Sequence, residues 1–480
     1  MRIAASFRVL GLLIMMFSLT MLVPMLVSFI FADGEHNTFL ISTGWTFAGG
    51  LVIWFPAARQ KRDLSTRDGF LITSLFWTVL GLFGAIPFMV SHDISYYDAV
   101  FESISGLTTT GATVLTGLDD MAPSILFYRQ FLQWLGGIGI VVIAVAILPL
   151  LGIGGMQLYK AETPGPVKDN KMTPRITQTA KALFILYVVL TGICAVSYWA
   201  AGMSAFDAIC HAFSTIAIGG FSTHDASMGY FDNPVIWLLA SFFMFISGLN
   251  FALHFFSWRH RSISHYLMDA EAGFYGSVLL ACVTITCLYL YFSGTYSGKD
   301  ALYHGIFQAV SFATTTGFAT TDYSSWPSFL PALLILSAAI GGCAGSTGGG
   351  IKVIRVMLVA KQGIRELGQL VHPKAVIPLK IGHRRVPATV VSAVWSFLAV
   401  YMFSFTLILL ALMATNLDFL SAFSATSASI NNLGPGLGSV ASHYGDISPA
   451  AKIIMCFAML LGRLEIFTLL VLFTPMFWRR

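Results

Sequence analysis

Four stretches of the chain end a short, serine- and threonine-rich apolar segment on a glycine. Aligned on one glycine each, they read Asp98-Ala-Val-Phe-Glu-Ser-Ile-Ser-Gly-Leu-Thr-Thr-Thr-Gly111, Asp207-Ala-Ile-Cys-His-Ala-Phe-Ser-Thr-Ile-Ala-Ile-Gly-Gly220, His304-Gly-Ile-Phe-Gln-Ala-Val-Ser-Phe-Ala-Thr-Thr-Thr-Gly317 and Ser421-Ala-Phe-Ser-Ala-Thr-Ser-Ala-Ser-Ile-Asn-Asn-Leu-Gly434. A monovalent cation that sheds its water inside a membrane needs oxygen dipoles on several sides without strong net charge, and backbone carbonyls supply them. Carbonyls converge on a line only where the chain takes up angles that a Cβ makes costly, and glycine removes that obstacle. The residues expected to form such a selectivity filter are Thr109, Thr110, Gly111 and Ala112; Ile218, Gly219, Gly220 and Phe221; Thr315, Thr316, Gly317 and Phe318; and Asn432, Leu433, Gly434 and Pro435. The carbonyls of Thr110, Gly219, Thr316 and Leu433, with those of the four glycines, are the expected ligands of the ion. One such turn would fit ordinary close helix packing. Four in one register, with Ser105, Ser214 and Ser311 aligned, mark an internal repeat.

A second glycine-rich stretch, Gly341, Gly342, Cys343, Ala344, Gly345, Ser346, Thr347, Gly348, Gly349 and Gly350, interrupts an apolar segment. At about 1 kcal/mol per glycine relative to alanine, no straight helix holds there. The stretch lacks the Gly-Lys-Ser/Thr ending of a phosphate-binding loop and no strand precedes it, so a loop beside a water-filled cavity is expected. Arg463 lies midway through the last apolar segment, where a charge costs about 2.5–3.5 kcal/mol unless it faces a cavity or a partner. Glu465, two positions on, would face elsewhere on a helix and is a poor partner for it. The loop 341–350 and Arg463 are the gate candidates, the loop being otherwise a rigid packing kink and Arg463 otherwise half of an ion pair with another span. Lys352 and Arg355 close the interrupted segment, as vestibule lining or as cytoplasmic anchors.

These residues need a bilayer to position them. Of 480 residues 56% are hydrophobic and 10% charged, against roughly 25% charged in soluble domains. Segments long enough to cross lie at 8–31, 38–58, 69–91, 124–152, 179–201, 233–258, 272–293, 328–360, 388–414 and 449–477. Between some of them the glycine-ended stretches, at 97–109, 205–217, 300–315 and 418–432, are too short to cross and read as re-entrant. The run after Arg2 and Arg8 is too long for a signal peptide and reads as a retained span. The expected fold is all-α and integral to the membrane. It has a two-span extension (1–68) and four units of span, pore helix, filter loop and span (69–155, 178–261, 271–368 and 386–480) around one pore. Ten spans put both termini on one side. All 27 Lys and Arg fall on that side except Arg129, Lys299 and Lys452 outside and Arg463 within a span, so both termini are expected in the cytoplasm.

Over essentially its whole length the chain resembles the bacterial Trk/Ktr and plant HKT superfamily of potassium and sodium transporters, and within it the TrkH-type subunits. There each filter segment holds one glycine, matching Gly111, Gly220, Gly317 and Gly434. Some sodium-preferring plant relatives have serine at the first, so the resemblance implies potassium uptake across the bacterial inner membrane. It also implies that the glycine-rich loop and the arginine of the last span obstruct the pore, and that the chain forms a homodimer. A cytosolic TrkA-type ring with nucleotide-binding domains would dock on the basic loops Lys160–Lys181 and Lys361–Arg385. Potassium is the cargo, and no bound cofactor or nucleic-acid partner is expected. Ion-coupled symport with H⁺ or Na⁺, or sodium permeation on the same fold, is the alternative.

Other classes fit less well. A symporter of organic solutes predicts inverted repeats, whereas these share one orientation. There is no HExxH or GxSxG motif, and the six cysteines show no zinc spacing. His211 and His304 have no second ligand at i+4 and read as packing or hydrogen-bonding residues. Asp98, Glu102, Asp207, Asp300, Asp119 and Asp120 are expected near the outer mouth, to concentrate cations there or to stand as solvated loop carboxylates.

Overall fold

A computed structural model describes residues 3–59, 65–92, 94–139, 176–382 and 384–479. The second half of the span expected at 124–152 and most of the basic loop Lys160–Lys181 lie outside the described residues. The described chain is helical apart from turns and one two-residue pairing, β1 (Lys380–Ile381) with β2 (Arg384–Arg385). The expectation of an all-α membrane protein is borne out. Six described helices are long and apolar enough to cross a bilayer, and two bent pairs raise this to as many as eight.

Helices α1 (Ile3–Thr20) and α2 (Leu22–Phe31) form one span, and α3 (His36–Trp54) returns beside it. Backbones touch here: a methyl group on Gly11 would come within 2.7 Å of Gly50 O. The pair braces the helix that opens at Pro123. Asp33, in the turn after α2, accepts from Ser124 N at 2.9 Å, and Phe39 packs edge-on against Tyr128 with centroids 5.6 Å apart.

One order of elements then comes four times, each with a short helix in the place where a pore helix is expected. The first set is α4 (Thr66–Gly84) with α5 (Ile86–His92), pore helix α6 (Tyr96–Leu107) and α7 (Pro123–Gly137). The second is α8 (Ile176–Ala200), pore helix α9 (Ala205–Ala217), and α10 (Pro234–Ser247) with α11 (Phe251–His260). After the short α12 (Ser264–Met268) come α13 (Ala270–Phe292), pore helix α14 (Gly298–Ala313), α15 (Phe329–Ala338) and α16 (Val353–Val371). The fourth is α17 (Ala388–Met413), pore helix α18 (Phe419–Ile430), and α19 (Pro449–Arg463) with α20 (Phe467–Leu470); α21 (Pro475–Trp478) ends the chain. Proline opens α7, α10 and α19, where its missing N–H costs nothing.

Local signals start the pore helices. Ser95 and Ser204 accept from Asp98 N and Asp207 N three residues on, and their hydroxyls donate back to the same carboxylates at 2.7 Å. Ser297 donates likewise to Asp300, and Asp418 caps Ser421 N. Asp98, Asp207 and Asp300, three of the aspartates read as cation collectors, are thus first-turn residues of these helices. Beyond that turn the pore helices are buried, as in Ala99–Leu107, whereas the outer helices show apolar side chains such as Phe403, Leu407 and Leu410 outward. That is the pattern a lipid solvent selects.

Two expected spans are broken. The segment 233–258 bends by 94° between α10 and α11, and 449–477 by 109° between α19 and α20. The first break is held by the glycine-rich loop, since Gly248 O accepts from Cys343 N at 2.8 Å and Phe251 N donates to Gly345 O at 3.0 Å. At the second, Glu465 and Ile466 both take positive φ, 50° and 59°. Arg463 is therefore the last residue of a helix and not the midpoint of a span.

Candidate functional site

The four glycine turns share one backbone course. Two residues before each marker glycine the chain turns left-handed, at Thr109 (φ 54°), Ile218 (55°), Thr315 (67°) and Asn432 (52°), and at the glycines φ is 81°, 78°, 85° and 97°. The intervening residue donates its N–H five residues back, Thr110 to Ser105 O, Gly219 to Ser214 O, Thr316 to Ser311 O and Leu433 to Ala428 O, at 2.7–2.9 Å. This bond closes a helix end of the Schellman kind. The serine register seen in the sequence is thus the register of the caps.

The turns meet. A methyl group on Gly111 would come within 2.1 Å of Gly219 O, on Gly220 within 2.1 Å of Thr316 O, on Gly317 within 2.1 Å of Leu433 O, and on Gly434 within 2.5 Å of Thr110 O. Each glycine abuts the carbonyl before the next glycine, and the fourth returns to the first. Two expected ion ligands also accept from side-chain donors. Gly219 O accepts from Gln133 Nε2 at 2.6 Å and Gly434 O from the Tyr444 hydroxyl at 2.8 Å, so the eight carbonyls are not equivalent.

Just outside the ring, each pore helix grips the strand leaving its turn. Nine positions before the marker glycine stand Glu102, His211 and Gln308. Glu102 accepts from Val114 N and the Thr113 hydroxyl at 3.0 Å, His211 Nε2 meets Ser222 Oγ at 2.9 Å, and Gln308 Oε1 accepts from Thr320 N at 3.4 Å. In the fourth repeat Ser424 takes this part, accepting from Leu437 N at 2.8 Å. Three copies of the repeat share this register with a different side chain in each, and in the fourth it shifts by one position, the ninth being Ala425.

Glu102 does not stand at the outer mouth. It is fully buried, paired with Arg129 at 2.8 Å, whose guanidinium also donates to Ser222 O at 3.0 Å and lies 4.3 Å above the Phe221 ring. Breaking a buried pair by removing one partner costs about 3–5 kcal/mol. Glu102→Gln is expected to lower stability on that scale, read as a large fall in the thermal midpoint of the purified protein.

Nearer the surface, His224 ties the loops that follow the first and second turns together. Its Nδ1 lies 2.5 Å from Asp119 Oδ1, its Nε2 sits 3.4 Å from Asp207 Oδ1 at ion-pair distance, and its ring stacks on Tyr230. Burial draws the imidazole down, but bonds and charge from Asp207 and Asp119 outweigh it and hold His224 above its ordinary 6.5. A raised histidine stabilises fully below 6.5 and loses that contribution as pH rises through its higher folded value. The thermal midpoint is expected to fall as pH rises above 6.5, and His224→Gln to flatten that slope.

The glycine-rich loop crosses beside the inner ends of the turns. Thr347 Oγ1 donates to Ile216 O at 2.9 Å, Gly349 N to Thr315 Oγ1 at 2.7 Å and Gly350 N to Asn431 O at 3.2 Å, reaching the second, third and fourth repeats. Arg463 reaches the first: its guanidinium donates to Thr109 Oγ1 at 3.4 Å, Gly137 O at 3.2 Å, Thr347 O at 3.3 Å and also Gly136 O. Ala344 N donates to Glu271 at 2.7 Å. Lys352 is neither vestibule lining nor a surface anchor; it is buried, and its ammonium donates to Gly348 O within the loop. Glu465 pairs with Arg355, which lies 4.1 Å over the Phe397 ring. Sequence reasoning missed Gln130, Gln133 and Tyr444, and only the glutamines' place in an apolar segment hinted at them.

The chain matches the family model described as TrkH, cation transport protein, over residues 35–480. It is 55% identical over 475 residues to the Trk system potassium uptake protein TrkH of Halomonas elongata, covering 98% of each chain. It is 54% identical over 482 residues to the protein of that name from Escherichia coli K12, covering 100% of each. The crystal structure of the potassium transporter TrkH from Vibrio parahaemolyticus superposes with a TM-score of 0.91 at 51% identity, over 100% of both chains. With its helices, its ring of turns and these likenesses together, the chain belongs to the TrkH family of cation transport proteins.

Proposed function

We propose that the chain takes up potassium across the bacterial cytoplasmic membrane through the ring formed by Gly111, Gly220, Gly317 and Gly434. The observation that carries this reading is the closed circuit of contacts in which each glycine meets the carbonyl before the next. The four pore helices end three or four residues before their glycines. Helix C-termini favour cations by about 0.3–1 kcal/mol each at exposed sites, so the ring is a place where a desolvated cation is welcome. With the cell interior negative, about 2.3 kcal/mol per charge per 100 mV drives it inward.

The loop 341–350 and Arg463 are the gate in this reading. Between them they contact all four repeats at residues just before the marker glycines, and they place a positive charge beside the path. Four units, 69–155, 178–261, 271–368 and 386–480, supply one turn each, and both termini lie in the cytoplasm. The working assembly is a homodimer controlled by a cytosolic TrkA-type nucleotide-binding subunit, with the basic segment Lys361–Arg385 in the docking face. The test is rubidium flux into liposomes holding the purified chain, with and without that subunit. Flux above empty vesicles is expected, and its absence under both conditions counts against a pore.

A further inference from the structure

The second turn departs from the others in one respect. The residue before its marker glycine is itself a glycine, Gly219, where the others have Thr110, Thr316 and Leu433. The space a side chain would take is filled from the preceding repeat, since a methyl group on Gly219 would lie 2.4 Å from the amide carbon of Gln133 and 2.5 Å from its oxygen. Gln133 is wholly buried on α7. Its Nε2 donates to Gly219 O at 2.6 Å and its Oε1 accepts from Phe221 N at 3.1 Å, so one amide brackets Gly220. One turn back on α7, Gln130 Nε2 donates to Phe221 O at 3.1 Å. Among the described residues no other turn has its backbone held by an amide side chain from the preceding repeat.

The held oxygen occupies a junction, because Gly219 O is the atom against which Gly111 rests. A carbonyl free to shift can follow a smaller ion inward, whereas one tied to a buried amide cannot. The task needs a donor and an acceptor on one plane, which glutamine has, methionine lacks and ionised glutamate only half supplies. We infer that Gln133 is a specificity-positioning residue, which holds the second turn at the spacing that favours potassium over sodium. This rests on the reading of the ring as the ion's passage.

The experiment compares Gln133→Met, Gln133→Glu, Gly219→Ala and Gly317→Ser, the last altering the ring itself. Each is purified, its thermal midpoint recorded, and its rubidium-to-sodium flux ratio and maximal rubidium flux measured in liposomes. Folded Gln133→Met is expected to lose about fivefold or more in the ratio with maximal flux within about twofold, because the oxygens stay but their spacing relaxes. Gly219→Ala, which pushes on the same amide, is expected to lower the ratio as well. Gln133→Glu is expected to regain selectivity as pH falls, since a protonated carboxyl restores the missing donor. An unchanged ratio in folded Gln133→Met, with Gly317→Ser lowered, overturns the inference and leaves the passage standing. Unchanged ratios in both overturn the passage. Loss of folded protein in all Gln133 and Gly219 variants makes the glutamine a folding residue and also overturns the inference.

Discussion

Gly317→Ser is expected to reduce the potassium-to-sodium permeability ratio by about tenfold or more, equivalent to about 1.4 kcal/mol of lost discrimination. At Gly317 φ is 85°, and a Cβ would meet Leu433 O at 2.1 Å and the Pro435 ring at 2.6 Å. The obstruction is backbone, which cannot swing aside as a flexible side chain would, so the third and fourth turns must separate. The outer helices make no use of this contact, and selectivity should fail before membrane abundance does. The measurement is rubidium and sodium flux in liposomes beside an immunoblot of membrane protein. Equal exclusion of sodium by variant and parent would remove the filter assignment.

The second large effect is expected at Arg463, where Arg463→Ala should raise the rate of rubidium flux about tenfold in the absence of any regulatory partner. One guanidinium ties the inner end of the first turn, the Gly136–Gly137 peptide groups and Thr347 of the glycine-rich loop. Hydrogen bonds to a charged group contribute about 1.5–3 kcal/mol each. Losing even one shifts a closed-to-open balance by about an order of magnitude, since about 1.4 kcal/mol is tenfold. The charge that disfavours a cation nearby goes with it. Arg463→Lys should fall between, because an ammonium keeps the charge but not the planar fork that spans several carbonyls. Flux unchanged in folded Arg463→Ala would mean that the arginine is structural.

Much of the architecture is legible because its causes are local. A Ser-x-x-Asp pair ahead of an apolar run is a local helix-start signal, and the serines at 95 and 204 act as one. A run of glycines breaks a helix whatever surrounds it, which is why the interruption at 341–350 is visible without coordinates. The breaks at 248–250 and 464–466 are not visible in that way. The first exists because Cys343 N and Gly345 O, nearly a hundred residues on, take up backbone groups there. The second depends on Glu465 reaching Arg355 of another repeat. Expecting Glu465 not to serve Arg463 holds, though not because of helix periodicity, since the helix has ended.

By itself the amino-acid order determined that the chain is helical and apolar enough to need a bilayer, and that four short segments end on a glycine in one register, because hydrophobic length, capping and glycine's backbone freedom act within a few residues. Only the tertiary structure decided that the turns close on one another, that Glu102 is sealed against Arg129, and that Gln133 stands in the place of a side chain on Gly219. Those pairings join residues of different repeats or opposite sides of a turn. Their energy comes from desolvated hydrogen bonds that exist only once the helices have packed.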